Sequence, residues 1–152
     1  MKKIVIGGDH RGYHLKEKLK KLFTDKKFEV VDAGTNSIEP VDYPDIASAV
    51  ARHIQSGGCE KGILICGSGV GASVAANKFK GVRAAVCHDV FSAHQGVEDD
   101  DMNVLCLGGG IVGESLAIEI VETFLNAKFK SEVERYVRRL DKVKEIEKSQ
   151  NK

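Results

Sequence analysis

The sequence predicts an α/β sandwich in which helices cover a parallel sheet, and three features point there. Short β-branched runs recur along the chain, helix-compatible stretches separate them, and one run is apolar almost throughout. An apolar run of that kind is what a strand buried on both faces requires. The strand runs are Lys3-Ile4-Val5-Ile6-Gly7, Glu29-Val30-Val31-Asp32, Gly62-Ile63-Leu64-Ile65-Cys66, Arg83-Ala84-Ala85-Val86-Cys87 and Asn103-Val104-Leu105-Cys106-Leu107, the third being the nearly all-apolar one. Helical spacing fits 11–24, 43–56, 70–79 and 111–127, with Pro40 and Pro44 bracketing the entry to the second. Short connections between such elements imply right-handed crossovers. No internal repeat, linker or low-complexity tract interrupts the pattern, so residues 1–152 read as a single domain of a size that one core can fill.

A last helix is expected over about 131–148, where Val133, Val137, Leu140, Val143 and Ile146 form an apolar stripe. Arg135, Arg138, Arg139 and Lys142 occupy much of its remaining face, and residues 128–152 hold nine Lys or Arg against five Asp or Glu. Two readings are open: a solvated helix with its own ion pairs, or an arm that packs on a partner subunit and presents arginines to an anion. Arg135 and Arg139, four apart, point the same way.

Composition excludes several classes of function. With 23 Lys and Arg against 22 Asp and Glu, the chain lacks the basic excess of a nucleic-acid binder. Its longest clean apolar runs are about five residues, against the ~20 that a membrane-spanning helix needs. Neither nucleic acid nor membrane is therefore an expected partner. Met1-Lys2-Lys3-Ile4 leads straight into a strand, so no leader segment is expected. Cys59, Cys66, Cys87 and Cys106 are widely spaced with no CxxC pair, which reads as reduced thiols in a cytoplasmic protein.

Ligands of open α/β sheets bind beyond the carboxyl ends of the strands. The segments there are Gly7-Gly8-Asp9-His10-Arg11-Gly12, Cys66-Gly67-Ser68-Gly69-Val70-Gly71-Ala72-Ser73, Cys87-His88-Asp89 and Leu107-Gly108-Gly109-Gly110. Three of these four are glycine-rich, which suits a backbone that approaches a small ligand closely. In the second, glycines at alternate positions let successive amides point inward at a helix start, an anion-stabilising nest. The same stretch fits G-x-G-x-x-A, with Asp89 as a candidate ribose acid, so a non-catalytic dinucleotide- or sugar-phosphate-binding module stays open. It is neither a Walker A loop, having no Gly-Lys-Ser/Thr, nor a Cys-x5-Arg loop, since residue 72 is Ala. Cys66 at its head faces a helix N-terminus, where a thiolate is stabilised and can act as base or nucleophile. Cys59, Cys87 and Cys106 read as buried packing. Asp9-His10 is a titratable pair that either acts in chemistry or caps the next helix. His14 and His53 fall on helices, and His88 and His94 have no evident direction. No His/Cys spacing matches a structural zinc site, and outside the dinucleotide reading no cofactor is expected. Glu98-Asp99-Asp100-Asp101 reads as a solvated carboxylate loop, in preference to a run that attracts a divalent cation.

With these residues in place, the chain resembles the ribose-5-phosphate isomerase B family, which includes the galactose-6-phosphate isomerase subunits, over nearly its full length. The likeness rests on Gly8-Asp9-His10-x-Gly12, Asp42-Tyr43-Pro44, Ile65-Cys66-Gly67-Ser68-Gly69-Val70-Gly71, Ala75-Ala76-Asn77-Lys78, Gly81-Val82-Arg83-Ala84 and Asn103-Val104-Leu105. The resemblance implies a three-layer α/β/α, Rossmann-like fold with a five-stranded parallel sheet, working as a homodimer or dimer of dimers. It implies a metal-free aldose–ketose isomerisation of a sugar phosphate through a cis-enediol. Cys66 would then shuttle a proton between C1 and C2 with help from Ser68, while the amides of Gly67, Gly69 and Gly71 hold the enediolate oxygen. Asp9 and Tyr43 would hold sugar hydroxyls. His10 would contact the phosphate, joined by Arg135 and Arg139 from the neighbouring subunit. Val70, Asp99 and Asp100 complete the expected substrate contacts.

Three positions depart from the family pattern. Asp99 stands where a histidine commonly opens the furanose ring, Gly110 where a basic residue is common, and Tyr136 where a histidine follows Arg135. Ribose 5-phosphate and ribulose 5-phosphate are the expected substrate pair. A tetrulose 4-phosphate is the alternative, because it cannot close to a furanose and needs no ring opener.

Overall fold

All five β-branched runs become strands, and the order in which they pair sets the site. In the computed structural model, which describes residues 2–150, β1 (Lys3–Gly8), β2 (Glu29–Asp32), β3 (Lys61–Cys66), β4 (Ala84–Val86) and β5 (Val104–Gly108) form one sheet. Its order is β2-β1-β3-β5-β4 and every pairing is parallel. Alternation along the strands divides the core in two. Ile4, Ile6, Ile63, Ile65, Leu105 and Leu107 meet Leu19, Phe23, Ile120 and Phe124, whereas Val5, Leu64, Cys66, Val104 and Cys106 meet Ala47, Val50, Ala51, Ala72 and Ala76. The first face carries α1 (Tyr13–Asp25), α4 (Val90–Asp100) and α5 (Glu114–Asn126); the second carries α2 (Tyr43–Gln55) and α3 (Val70–Ala76). The three-layer sandwich follows.

Helix α4 corrects the sequence reading, which places no helix between the fourth and fifth strands and a solvated loop at 98–101. Glu98, Asp99 and Asp100 instead form the last turn of α4, and Asp101 closes it at φ +52°. Asp89 starts the helix by accepting from the Ser92 amide at 2.6 Å, and Ala93 and Val97 supply its buried stripe. Carboxylates at a helix C-terminus oppose the dipole. Here they are offset by Lys130 on Glu98 (3.2 Å) and Arg83 on Asp101 (2.9 Å).

The last helix, α6 (Glu134–Ser149), begins later than the stripe suggests. Only Leu140 of its stripe is buried; Val143 and Ile146 are 50% and 64% exposed. At the sheet margin, the Asn77 amide side chain pairs with both backbone groups of Ala84, each at 2.8 Å, on edge strand β4. All four cysteines are free and buried. No helix among the described residues is long and apolar enough to cross a membrane.

One buried charge ties α1 to the end of β2. Lys16 is fully buried, and its Nζ donates to Asp32 Oδ1 and Oδ2 at 2.9 and 2.8 Å and to Glu17 at 2.9 Å. Lys20 reaches Asp32 at 2.8 Å. Burial opposes ionisation of Asp32, but the two ammonium groups and the Gly34 amide outweigh it and hold the carboxyl below its usual range. The resulting stabilisation is complete above the unfolded value near ~3.9 and is lost as pH falls through the lower folded value. Asp32→Asn should cost roughly 3 kcal/mol at neutral pH, the lower end for breaking a buried pair, because Glu17 remains with Lys16. Thermal melts against pH test this: the variant should melt earlier at pH 7 and show a flatter acid limb than the parent, and identical curves would refute it.

Candidate active site

Neighbouring strands β1, β3 and β5 bring their following loops together at the carboxyl edge of the sheet. Their hydrogen bonding continues past the strand ends: Asp9 N donates to Ile65 O (3.0 Å), Gly109 N to Cys66 O (2.7 Å) and Gly110 N to Gly67 O (3.0 Å). A side chain at Gly12 would place its Cβ 2.5 Å from Ile65 O, so the close approach requires glycine there.

Cys66 ends β3 beneath this junction and is 5% exposed. Its Sγ accepts from the Gly69 amide at 3.2 Å, which fixes the thiol at the head of α3. Gly69 sits at φ +83°, a left-handed conformation that L side chains rarely adopt, and this turn leads the chain from the thiol into α3. The other thiols have no such donor among the described residues. Burial pushes Cys87 up to about 11 and raises Cys59 and Cys106 as well.

The loop differs from expectation in one respect. The Gly69 amide, expected on a sugar oxygen, is taken by the thiol. The Gly67 and Gly71 amides donate to no protein group among the described residues and remain for a ligand. Ser68 is exposed and its Oγ accepts from Val70 N at 3.3 Å, while the Val70 side chain turns to solvent. Tyr43, the first residue of α2, lays its ring over Gly71, where a Cβ would come within 2.7 Å of Cζ.

Asp9 does not cap α1, whose N-cap Gly12 carries no side-chain cap; its Oδ1 instead accepts from Arg11 N (2.9 Å) and Gly12 N (3.2 Å), which pins the loop before the helix. Its Oδ2 has no protein donor among the described residues. His10 Nδ1 accepts from Val41 N at 3.2 Å, so the ring proton lies on Nε2 and faces away from that contact. Arg11 stretches across the junction, its guanidinium so close to Gly67 that a Cβ there would stand 2.5 Å from Nη1; at Gly110 a Cβ would stand 3.4 Å from Nη2. His88 Nε2 accepts from Gly108 N at 2.9 Å and fixes the start of the last glycine loop. Nothing in the sequence directs His88 there, because its partner is set by β4–β5 pairing. Arg11 did carry a signal, a cation inside a glycine loop.

Asp99, Asp100, Arg135 and Arg139 lie elsewhere. Helix α4 runs back from the carboxyl edge, so its last turn sits beside the start of β5, whereas Cys66 pairs with Gly108 at that strand's end. Val104 to Gly108 spans roughly 13 Å at the usual strand rise. Asp99 Oδ2 accepts from Gln95 Nε2 at 2.7 Å. Burial and the Asp99 charge raise the Asp100 carboxyl, with Arg139 opposing. Arg135 stacks on Tyr136 with its guanidinium 4.7 Å from the ring centre. A single chain therefore does not bring these four residues to Cys66. Asp89, the candidate ribose acid, commits its Oδ1 to the cap of α4. No three His, Cys, Asp or Glu side chains among the described residues group as a metal site.

Comparison with known proteins adds a further line of evidence. The family model described as Ribose/Galactose Isomerase matches residues 4–143. Ribose-5-phosphate isomerase B of Escherichia coli (strain K12) is 44% identical over 151 residues, covering 99% of this chain and 100% of that protein. D-erythrulose-4-phosphate isomerase 2 of Mycolicibacterium smegmatis is 40% identical over 130 residues, covering 84% and 86%. The solved structure of Clostridium thermocellum ribose-5-phosphate isomerase B superposes with a TM-score of 0.93 at 46% identity, covering 97% of this chain and 98% of that one.

Proposed function

The chain belongs to the Ribose/Galactose Isomerase family, and on that premise we propose that it interconverts ribose 5-phosphate and ribulose 5-phosphate through a cis-enediol. The observation that carries this reading is the placement of Cys66, a thiol held by the Gly69 amide beside the unoccupied amides of Gly67 and Gly71. Acting as the thiolate, Cys66 Sγ takes the proton from C2 of the aldose, and the released electron pair forms the C1–C2 double bond as the carbonyl oxygen gains a proton. Return of a proton to C1, with loss of the O2 proton, yields the ketose with no atom gained or lost. Ser68 moves the proton between the two oxygens, and the Gly67 and Gly71 amides hold the developing charge. Asp9 and Tyr43 hold hydroxyls, and His10 offers its Nε2 proton to the phosphate. Arg135, Arg139, Asp99 and Asp100 join this site from a partner subunit, whose amino edge meets the carboxyl edge of the first. The reaction belongs in the cytoplasm, where four free thiols stay reduced.

A second reading follows from Asp99. Its carboxylate is bonded to Gln95 beside Asp100, and an ionised carboxylate accepts but does not donate. Opening a furanose needs a group that gives a proton to the ring oxygen. A tetrulose 4-phosphate has no free hydroxyl with which to close that ring, so it bypasses the need. The similarity to the M. smegmatis enzyme named for D-erythrulose 4-phosphate supports carrying this substrate alongside the pentose.

Three outcomes are expected. Cys66→Ala should lower kcat by about 10²–10⁴-fold and abolish solvent deuterium incorporation at C1 or C2; near-normal exchange would place the base elsewhere. Mixing Cys66→Ala chains with Arg139→Ala chains should restore activity, since one site of each hybrid dimer then keeps both groups. Verified hybrids without activity would refute the shared site. Asp99→His should raise kcat/KM for ribose 5-phosphate and leave that for tetrulose 4-phosphates unchanged. A wild type that handles ribose 5-phosphate well above ~10⁴ M⁻¹s⁻¹ and ignores tetrose phosphates would dispose of the second reading.

A further inference from the structure

We propose that Arg11 is the phosphate-anchoring cation of this chain's own half of the site, a specificity-determining residue that reaches over Gly67 and Gly110. The inference deepens the isomerase reading and rests on it.

Charge distribution makes the first argument. The loops that leave the carboxyl ends of the strands comprise residues 9–12, 33–42, 67–69, 87–89 and 109–113, and Arg11 is the only Lys or Arg in them. The same loops contain Asp9, Glu39, Asp42 and Asp89. Without Arg11 this edge would present only negative formal charge to a sugar phosphate, which itself carries nearly two negative charges at neutral pH. The arginines of α6 offer no remedy within the chain, because they belong to the opposite edge.

Pairing makes the second. Arg83 and Arg138 are each committed to a carboxylate, at 2.9 and 2.7 Å. Arg11 has no carboxylate within 4.0 Å among the described residues and donates no side-chain hydrogen bond to them. Its backbone is nevertheless held firmly, the amide being one of the two that Asp9 Oδ1 accepts. A pinned backbone with an uncommitted guanidinium suits a ligand-binding role better than a structural one.

Shape makes the third. The guanidinium lies against two residues that lack side chains, and a Cβ at Gly67 would stand 2.5 Å from Nη1 and 2.7 Å from Cζ. Gly67 follows Cys66 directly, so the planar fork lies beside the reacting thiol, with room for its N–H groups to meet phosphate oxygens in pairs. At Gly110 a Cβ would stand 3.4 Å from Nη2, so an arginine introduced there enters the same space. His10, the preceding residue, adds its Nε2 proton to the same anion.

Steady-state kinetics with ribose 5-phosphate, and competition by inorganic phosphate, test the assignment on wild type, Arg11→Gln, Arg11→Lys and the double variant Arg11→Gln/Gly110→Arg. Thermal melts verify that each is folded. Arg11→Gln should raise both KM and the phosphate inhibition constant by about 10–100-fold, the range of a charge-assisted contact, with kcat nearly unchanged. Arg11→Lys should fall between, keeping the charge but losing the fork. Recovery of phosphate affinity in the double variant supports the proposal. An unchanged inhibition constant in folded Arg11→Gln, or a fall in kcat alone, overturns it; the latter would assign Arg11 to the enediolate. A wild type that binds phosphate Arg11-dependently yet isomerises no sugar phosphate would defeat the isomerase reading and leave the anion site standing.

Discussion

The site depends on backbone hydrogen bonds that outlast the strands. Because β1, β3 and β5 lie side by side and parallel, residues from three distant parts of the chain leave the sheet at the same edge, and Asp9, Gly109 and Gly110 then bond to Ile65, Cys66 and Gly67. Each bond draws two loops within contact distance, which is why glycine occupies so many of these positions. The thiol is thus placed by main-chain geometry, and the side chains of Asp9, His88 and Gly69's own turn only refine it.

What the sequence made legible follows the same division. Strands buried on both faces leave an unmistakable apolar record, and their carboxyl ends locate Cys66, Ser68, Asp9 and His10 in one region, whereas Tyr43 is found only through the resemblance. Helix α4 left a poor record, because three carboxylates crowd its final turn and only the tertiary ion pairs to Lys130 and Arg83 make that turn tolerable. The role of the Gly69 amide was invisible for another reason: alternate glycines predict a nest but not which amide turns inward to sulfur. Arg11 and His88 stand in loops at the carboxyl edge, yet the residues they lie against, Gly67 and Gly108, belong to other loops that the sequence does not pair with them.

The division of charged residues between the two sheet edges has its own logic. Residues expected to meet the substrate lie partly at the carboxyl edge and partly, through Asp99, Asp100, Arg135 and Arg139, at the other. In a closed twofold dimer such an arrangement builds two equivalent composite sites from one self-complementary surface. Arg11 is a cation of the chain's own at the edge that carries the thiol, whereas Arg135 and Arg139 stand at the opposite edge.

The outer strands of the sheet are four and three residues long, and Asn77 occupies the outward backbone groups of Ala84 on the shorter one. An exposed strand is a template on which another chain can add. Here one template is too short and the other is already occupied by a side chain of its own protein. Both edges are thus poor templates for a strand from another chain, so that an interface between copies, where one forms, is left to the helices and loops that carry the glycine junction and the arginines.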